Sequence, residues 1–360
     1  MQTYPVPMVP GPVHVPRLIR DVYQTDFGSA DLEASFIDLY TQTETCLKTL
    51  MGTRHSVVIQ TGEGMLALWS ALKSCLVPDD KVLAVATGVF GYGIADMARS
   101  IGAQVQTVGL AYDETLSDLT AVEQAIADFR PKMITAVHCE TPSGTLNPLA
   151  ALGNLKHHYD VPLLYVDAVA STGGVLVLAD DWHIDLCLGG SQKCLAAPPG
   201  TAFVSVSDRA WEIIDAVGYV GYDALKPFRT ARRDRYFPYT PYWHGIAALN
   251  TGAEALLQEG LPAVFARHEE VANYCRAQVL EMGFDLFPAP DAVQSPTVTA
   301  VKLPAAISWP DWDARLRRHG LVVGGSFGPL HGKIFRLGHM GTQADLDLMT
   351  QALDIIEKCL

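Results

Sequence analysis

From residue 55 to 206 the chain alternates between short apolar runs and amphipathic stretches. "SVVIQ", "KVLAVA", "AQVQTVGL", "KMITAVHC", "PLLYVD", "IDLCLGG" and "GTAFVSVS" read as strands. Between them "EGMLALWSALKSCL" sets Leu66, Trp69, Leu72 and Leu76 at helical spacing. "GIADMARSIG" reads as a helix closed by Gly102, and "SDLTAVEQAIADF" and "PLAALGNLKHHYD" as two more. Strands this apolar have no solvent face. They must be covered on both sides, and crossover helices do that, so the pattern predicts an α/β fold built on a mostly parallel sheet. Ligands of such sheets sit beyond the carboxyl ends of the strands. Chemistry is therefore to be sought just after each apolar run.

A shift in composition follows. Residues 222–243, "YDALKPFRTARRDRYFPYTPYW", are basic and aromatic, and "GIAALNTGAEALLQEG" then reads as a long helix leading into a second unit. That unit, with helices near 262–282 and 309–319 and strands near 296–303 and 321–323, reads as a smaller α+β domain. The expected division is an N-terminal arm over 1–20, a large cofactor-binding domain over 21–254 and a small C-terminal domain over 255–360. The net charge of −13 argues against a nucleic-acid or membrane-surface partner. No run is long and apolar enough for a membrane span, and the N-terminus has neither a basic nor an apolar leader region. Seven cysteines without a C-x-x-C pair suggest a reduced, cytoplasmic protein, and no metal-ligand spacing is evident.

The strand ends carry the candidates. Thr61 and Gly62 in "QTGEG" precede a helix whose N-terminus is either simply capped or a phosphate cradle. Phe90 in "TGVFGYG" is a loop or core aromatic, or a ring offered to a flat ligand. Thr141 and Ser143 in "ETPSGTLNP" supply hydroxyls. Asp167 ends an apolar strand, where a carboxylate is either a helix cap or the partner of a cation. Lys193 lies in "GGSQKCLAAPPG", among small and kinking residues where a solvated lysine is out of place. Taken together they describe one ligand with a phosphate, a flat ring, a ring nitrogen that wants an anion, and an aldehyde. Pyridoxal 5'-phosphate has all four.

"YVDAVASTGG", "GGSQKCLAAPPGTAFVSVS", "HCETPSGTLNP", "SPTVTAVKLP" and "FRLGHMG" resemble the class V, fold-type I aminotransferases, notably the alanine–glyoxylate and pyridoxamine–pyruvate groups. The resemblance runs from about residue 10 to the end. It implies a seven-stranded, mostly parallel sheet in the large domain. It implies that Lys193 forms the Schiff base and Asp167 faces the ring nitrogen, with Val169 and Phe90 on the two ring faces and Thr141 near the phenolic oxygen. Thr61, Gly62 and Gln192 match phosphate contacts. Thr240 in "PYTP" matches a threonine that reaches the neighbouring subunit's phosphate, so a homodimer is implied. Arg336 matches the arginine that binds the substrate carboxylate, to which its planar fork is suited.

The resemblance implies a ping-pong transamination from a small amino donor to a 2-oxo acid, pyruvate or glyoxylate. Two departures bear on it. Phe237 stands where alanine–glyoxylate enzymes have a tyrosine, so a phosphate hydroxyl is lost unless Tyr236 or Tyr239 supplies it. Glu63, with Cys194 after the lysine, resembles the pyridoxamine–pyruvate group, whose substrate is the unphosphorylated vitamer. Both residues are therefore candidates for substrate binding. A lyase or racemase on the same fold is a further alternative.

Overall fold

A computed structural model describes residues 3–360. Its centre is a seven-stranded sheet in the spatial order Ser56–Thr61, Thr201–Val206, Leu186–Gly190, Leu163–Asp167, Met133–Val137, Lys81–Ala86, Gln104–Gly109. Thr201–Val206 pairs antiparallel with both its neighbours, and every other pairing in the sheet is parallel. Met133–Val137, Leu163–Asp167 and Leu186–Gly190 are buried along their whole length, as strands covered on both faces must be. The covering helices include Gly64–Cys75, Thr120–Phe129, Ala150–His158 and Trp243–Glu259.

One expected helix begins earlier than its sequence suggests. The sequence starts this helix at Gly93, but it runs Val89–Ser100, taking in Phe90 and Gly91 with Gly88 as its N-cap. Glu140 makes this possible: its carboxylate accepts the N–H groups of Phe90 and Gly91, which the first helical turn leaves without partners.

Two large apolar cores organise the chain. The first surrounds the central sheet. The second joins the helices Leu261–Glu281, Trp309–Arg318 and Leu346–Lys358 to the antiparallel pair Val298–Lys302 and Ile334–Gly338. The proposed division at residue 255 falls within Trp243–Glu259, whose Leu256 packs in the first core, while Val271 already lies in the second. The arm is not free of the second core: Val6–Met8 pairs in parallel with Leu321–Val323 and buries Val6 and Met8 there.

The second core positions one residue of the site. Along Ile334–Gly338, Phe335 and Leu337 point into it, and Arg336 takes the other face. Phe335 is fully buried in an aromatic cluster with Phe284 and Trp312. Phe335→Ala should destabilise the second unit by about 3–5 kcal/mol, the cost of emptying a buried aromatic site. Urea denaturation followed by tryptophan fluorescence measures it.

Candidate active site

The sheet order brings the ends of Leu163–Asp167 and Leu186–Gly190 side by side, with Asp167 opposite Leu188. Lys193 follows in a tight turn. Ala196 N–H donates to the Lys193 carbonyl and Ala197 N–H to the Ser191 carbonyl. The Ser191 hydroxyl donates to the Pro198 carbonyl at 2.6 Å and accepts from Thr201 N–H at 3.3 Å. Every turn of this loop is thus tied to its neighbours, which fixes where the lysine leaves the backbone.

A cavity of about 320 Å³ opens at these strand ends. Seven of the expected residues line it: Glu63, Phe90, Thr141, Asp167, Val169, Gln192 and Lys193. Gly64 must be small, since a Cβ there would lie 2.9 Å from a methyl of Val169. Val169 N–H donates to the Asp167 carboxylate at 2.9 Å and so fixes the carboxylate and the valine together.

The electrostatics follow from burial. The Lys193 amine is pushed down to about 8, first by desolvation and then by the Arg336 charge. Asp167 is pushed up to about 6 by desolvation, which the Val169 N–H and the Lys193 charge only partly offset. Arg336 is 4% exposed and lowered to about 10 by burial. It donates to the carbonyls of Gly325 at 2.7 Å and Thr141 at 3.2 Å, and its guanidinium lies 4.8 Å from the Phe327 ring centroid. Among the described residues no carboxylate pairs with it. A buried guanidinium held only by carbonyls and a ring keeps a charge that a ligand carboxylate could pair with.

Five expected residues lie outside the cavity lining. Arg336 stands behind Thr141, through whose carbonyl it is held. Thr61 N–H donates to the Tyr239 hydroxyl at 3.2 Å, and Gly62 N–H to the Gly200 carbonyl. Of the two tyrosines that could replace the hydroxyl missing at Phe237, Tyr239 therefore stands beside the cradle, whereas Tyr236 is 77% exposed. Cys194 turns away, its thiol directed at the Ala170 carbonyl and lining a different cavity. Thr240 is exposed. The cradle also holds a charge: Gln192 Nε2 donates to the Glu63 carboxylate at 3.0 Å, leaving Gln192 Oε1 buried without a partner.

Sequence reading overlooked Gly11 and Pro12, which line the cavity, and Glu140, which anchors the helix carrying Phe90. An acidic residue at a strand end inside "HCETPSGT" was the available signal for Glu140. No local signal marks Gly11 or Pro12.

Burial pushes Glu140 up to about 7, against the two N–H groups that favour its charge. Because the folded value lies above the ordinary one, this group's contribution to stability is full below about pH 4.5 and lost as pH rises through about 7. Glu140→Gln should flatten that fall in the cofactor-free protein. Denaturant midpoints measured across this window check it.

Comparison with known proteins identifies the family. The family model for Aminotransferase class-V matches residues 20–329. A pyridoxamine–pyruvate transaminase of Mesorhizobium japonicum is 33% identical over 94% of this chain and 87% of its own. An alanine–glyoxylate aminotransferase of Oryctolagus cuniculus is 33% identical over 85% of this chain and 81% of its own. The solved alanine–glyoxylate aminotransferase of a Nostoc species superposes with a TM-score of 0.94 at 26% identity, covering 100% of this chain and 96% of that one. The chain belongs to the class V aminotransferases, enzymes of the fold-type I architecture that use pyridoxal 5'-phosphate.

Proposed function

We propose that this aminotransferase moves an amino group from a small amino donor to pyruvate or glyoxylate, through the cavity at Lys193 and Asp167. One observation carries the reading. A desolvated amine and a desolvated carboxylate meet in a cavity between Phe90 and Val169, with an unpaired buried guanidinium beside it. The donor set fits the ring half of the family's cofactor: Lys193 for the aldehyde, Asp167 for the ring nitrogen, Phe90 and Val169 for the faces, Thr141 for the phenolic oxygen. When bound, pyridoxal 5'-phosphate supplies the aldehyde that takes the amino group and a ring that withdraws electrons.

The chain's own residues do the rest. Lys193, lowered to about 8, is a usable base near neutral pH; its Nζ would take the proton from the donor's α-carbon and return it to the carbon on the far side of the amino nitrogen. Asp167 keeps a proton on the ring nitrogen. Arg336 grips the α-carboxylate of donor and acceptor in turn, which sets the α-carbon against Lys193. The apolar walls at Phe90, Val169 and Pro12 exclude water and strengthen each of these interactions. Residues near Thr240, with Val220, Tyr222 and Tyr236 exposed, suit a subunit interface, so we place the enzyme as a homodimer with Thr240 reaching the neighbouring cradle. The described helices include none long and apolar enough to cross a membrane.

Lys193→Ala should lower kcat by about 10²–10⁴-fold or more, the worth of a positioned acid–base group. Borohydride reduction of the wild type should also fix the cofactor to the peptide containing Lys193, and fix none in the variant. Normal turnover by the variant, or attachment at another lysine, would sink the assignment.

A second reading rests on the Glu63–Gln192 bond in the cradle. A fixed carboxylate there repels a dianionic phosphate and accepts a hydroxyl, so the cavity would take the unphosphorylated vitamer as its amino donor. Pyridoxal is then expected from pyridoxamine and pyruvate, and Glu63→Ser should shift binding from pyridoxal toward pyridoxal 5'-phosphate. Tight binding of the phosphate ester by the wild type, with no pyridoxal formed, would remove this reading.

A further inference from the structure

The N-terminal segment crosses the cavity at Lys193. Beyond the strand Val6–Met8, the Pro10 carbonyl accepts a hydrogen bond from Lys193 Nζ. Val13 N–H donates to the Gln192 carbonyl at 3.1 Å, so the segment is fastened to the turn that carries the lysine. Its other side is fastened to the turn Gly341–Gln343, which follows the strand of Arg336. Gln343 Nε2 donates to the Val9 carbonyl at 2.8 Å and Gln343 Oε1 accepts from His14 N–H at 2.8 Å. The Thr342 hydroxyl donates to the His14 carbonyl at 2.8 Å.

Two close approaches show how tightly the segment is seated. Gly11 has φ +88°, and a Cβ there would lie 2.5 Å from Lys193 Cδ and 2.6 Å from Nζ. Gly338 lies two residues after Arg336 on the same strand. A Cβ there would lie 2.4 Å from Pro10 Cα. The segment is thus wedged between the lysine and the strand that presents the guanidinium.

We propose that residues 9–14 are a positioning strap for Lys193, in which the Pro10 carbonyl holds the ε-amino group whenever that group is not joined to the cofactor and Gly11 leaves it room to swing. The proposal rests on the assignment of Lys193 as the cofactor's attachment point. A lysine released into an open cavity would sample many rotamers, and a fixed acceptor removes that freedom before each proton transfer. The strap's second anchorage, at Gln343 and Gly338, joins the position of the amine to the position of Arg336. Pro10 contributes through its backbone, so its side chain carries no signature that sequence reading could find.

The test uses the full-length, cofactor-free protein and trace acetic anhydride. Peptide mass spectrometry reads the acetylation rate of Lys193 against that of Lys302, which is exposed. Two variants loosen the strap from opposite sides. Gly11→Ala pushes into the lysine, and Gln343→Met releases the far anchorage without a recorded bond to Lys193. Circular dichroism and a cooperative unfolding transition establish that each is folded. Both should raise the Lys193 rate relative to Lys302 by about tenfold or more, the factor expected when a charged amine loses a hydrogen bond. An unchanged rate in both, or a change in Gly11→Ala alone, would overturn the strap and leave the aminotransferase reading intact. Borohydride attachment to a lysine other than Lys193 would instead remove the reading on which the strap depends.

Discussion

Burial of an amine, a guanidinium and a carboxylate around one cavity is the constraint from which the rest of this structure follows. Desolvation works against the charged form of each group: it drives Lys193 down to about 8, Arg336 down to about 10 and Asp167 up to about 6. Such an arrangement persists only if the scaffold over-determines it. Here the parallel sheet fixes Asp167, the stitched turn over 191–201 fixes Lys193, and the aromatic cluster of the second core fixes the strand of Arg336. A fourth buried group, Glu140, holds the helix of Phe90 by its first N–H groups.

The charges are complementary to a ligand rather than to each other. Arg336 spends its hydrogen bonds on carbonyls, and no carboxylate among the described residues pairs with it. Asp167 uses one oxygen on Val169 N–H and lines the cavity with the rest. A protonated ring nitrogen and a substrate carboxylate would each relieve one of these desolvated charges, which gives a physical reason for ligand binding to be strong where the empty site is strained. The cradle is the exception, because Glu63 already occupies Gln192 there. In the proposed second reading, the choice between a phosphate ester and its hydroxyl analogue would rest on this one carboxylate.

Much of this was legible in the chain because parallel sheets place chemistry at strand ends. Asp167 and Lys193 stand out as polar residues in apolar or small-residue runs, and the structure sets them together as the alternating pattern expects. What escaped reading did so for physical reasons. The Val89–Ser100 helix starts inside a glycine-rich run because a carboxylate 50 residues away caps it. The Pro10–Lys193 contact joins residues 183 apart through a backbone atom, which no side-chain pattern records. Cys194 follows Lys193 directly, yet a tight turn sends neighbouring side chains in different directions, and its thiol faces a different cavity. Thr240 is exposed, and a role for it at a neighbouring cradle belongs to the proposed homodimer.

The most direct measurement is a single-turnover experiment on the holoenzyme with an amino donor and no acceptor. The quantity read is the 2-oxo acid released per chain. A double-displacement transferase built on Lys193 and Asp167 releases one equivalent and stops, then resumes when pyruvate or glyoxylate is added. Continuous release without an acceptor, or none with any small donor while the cofactor is bound, would contradict the account.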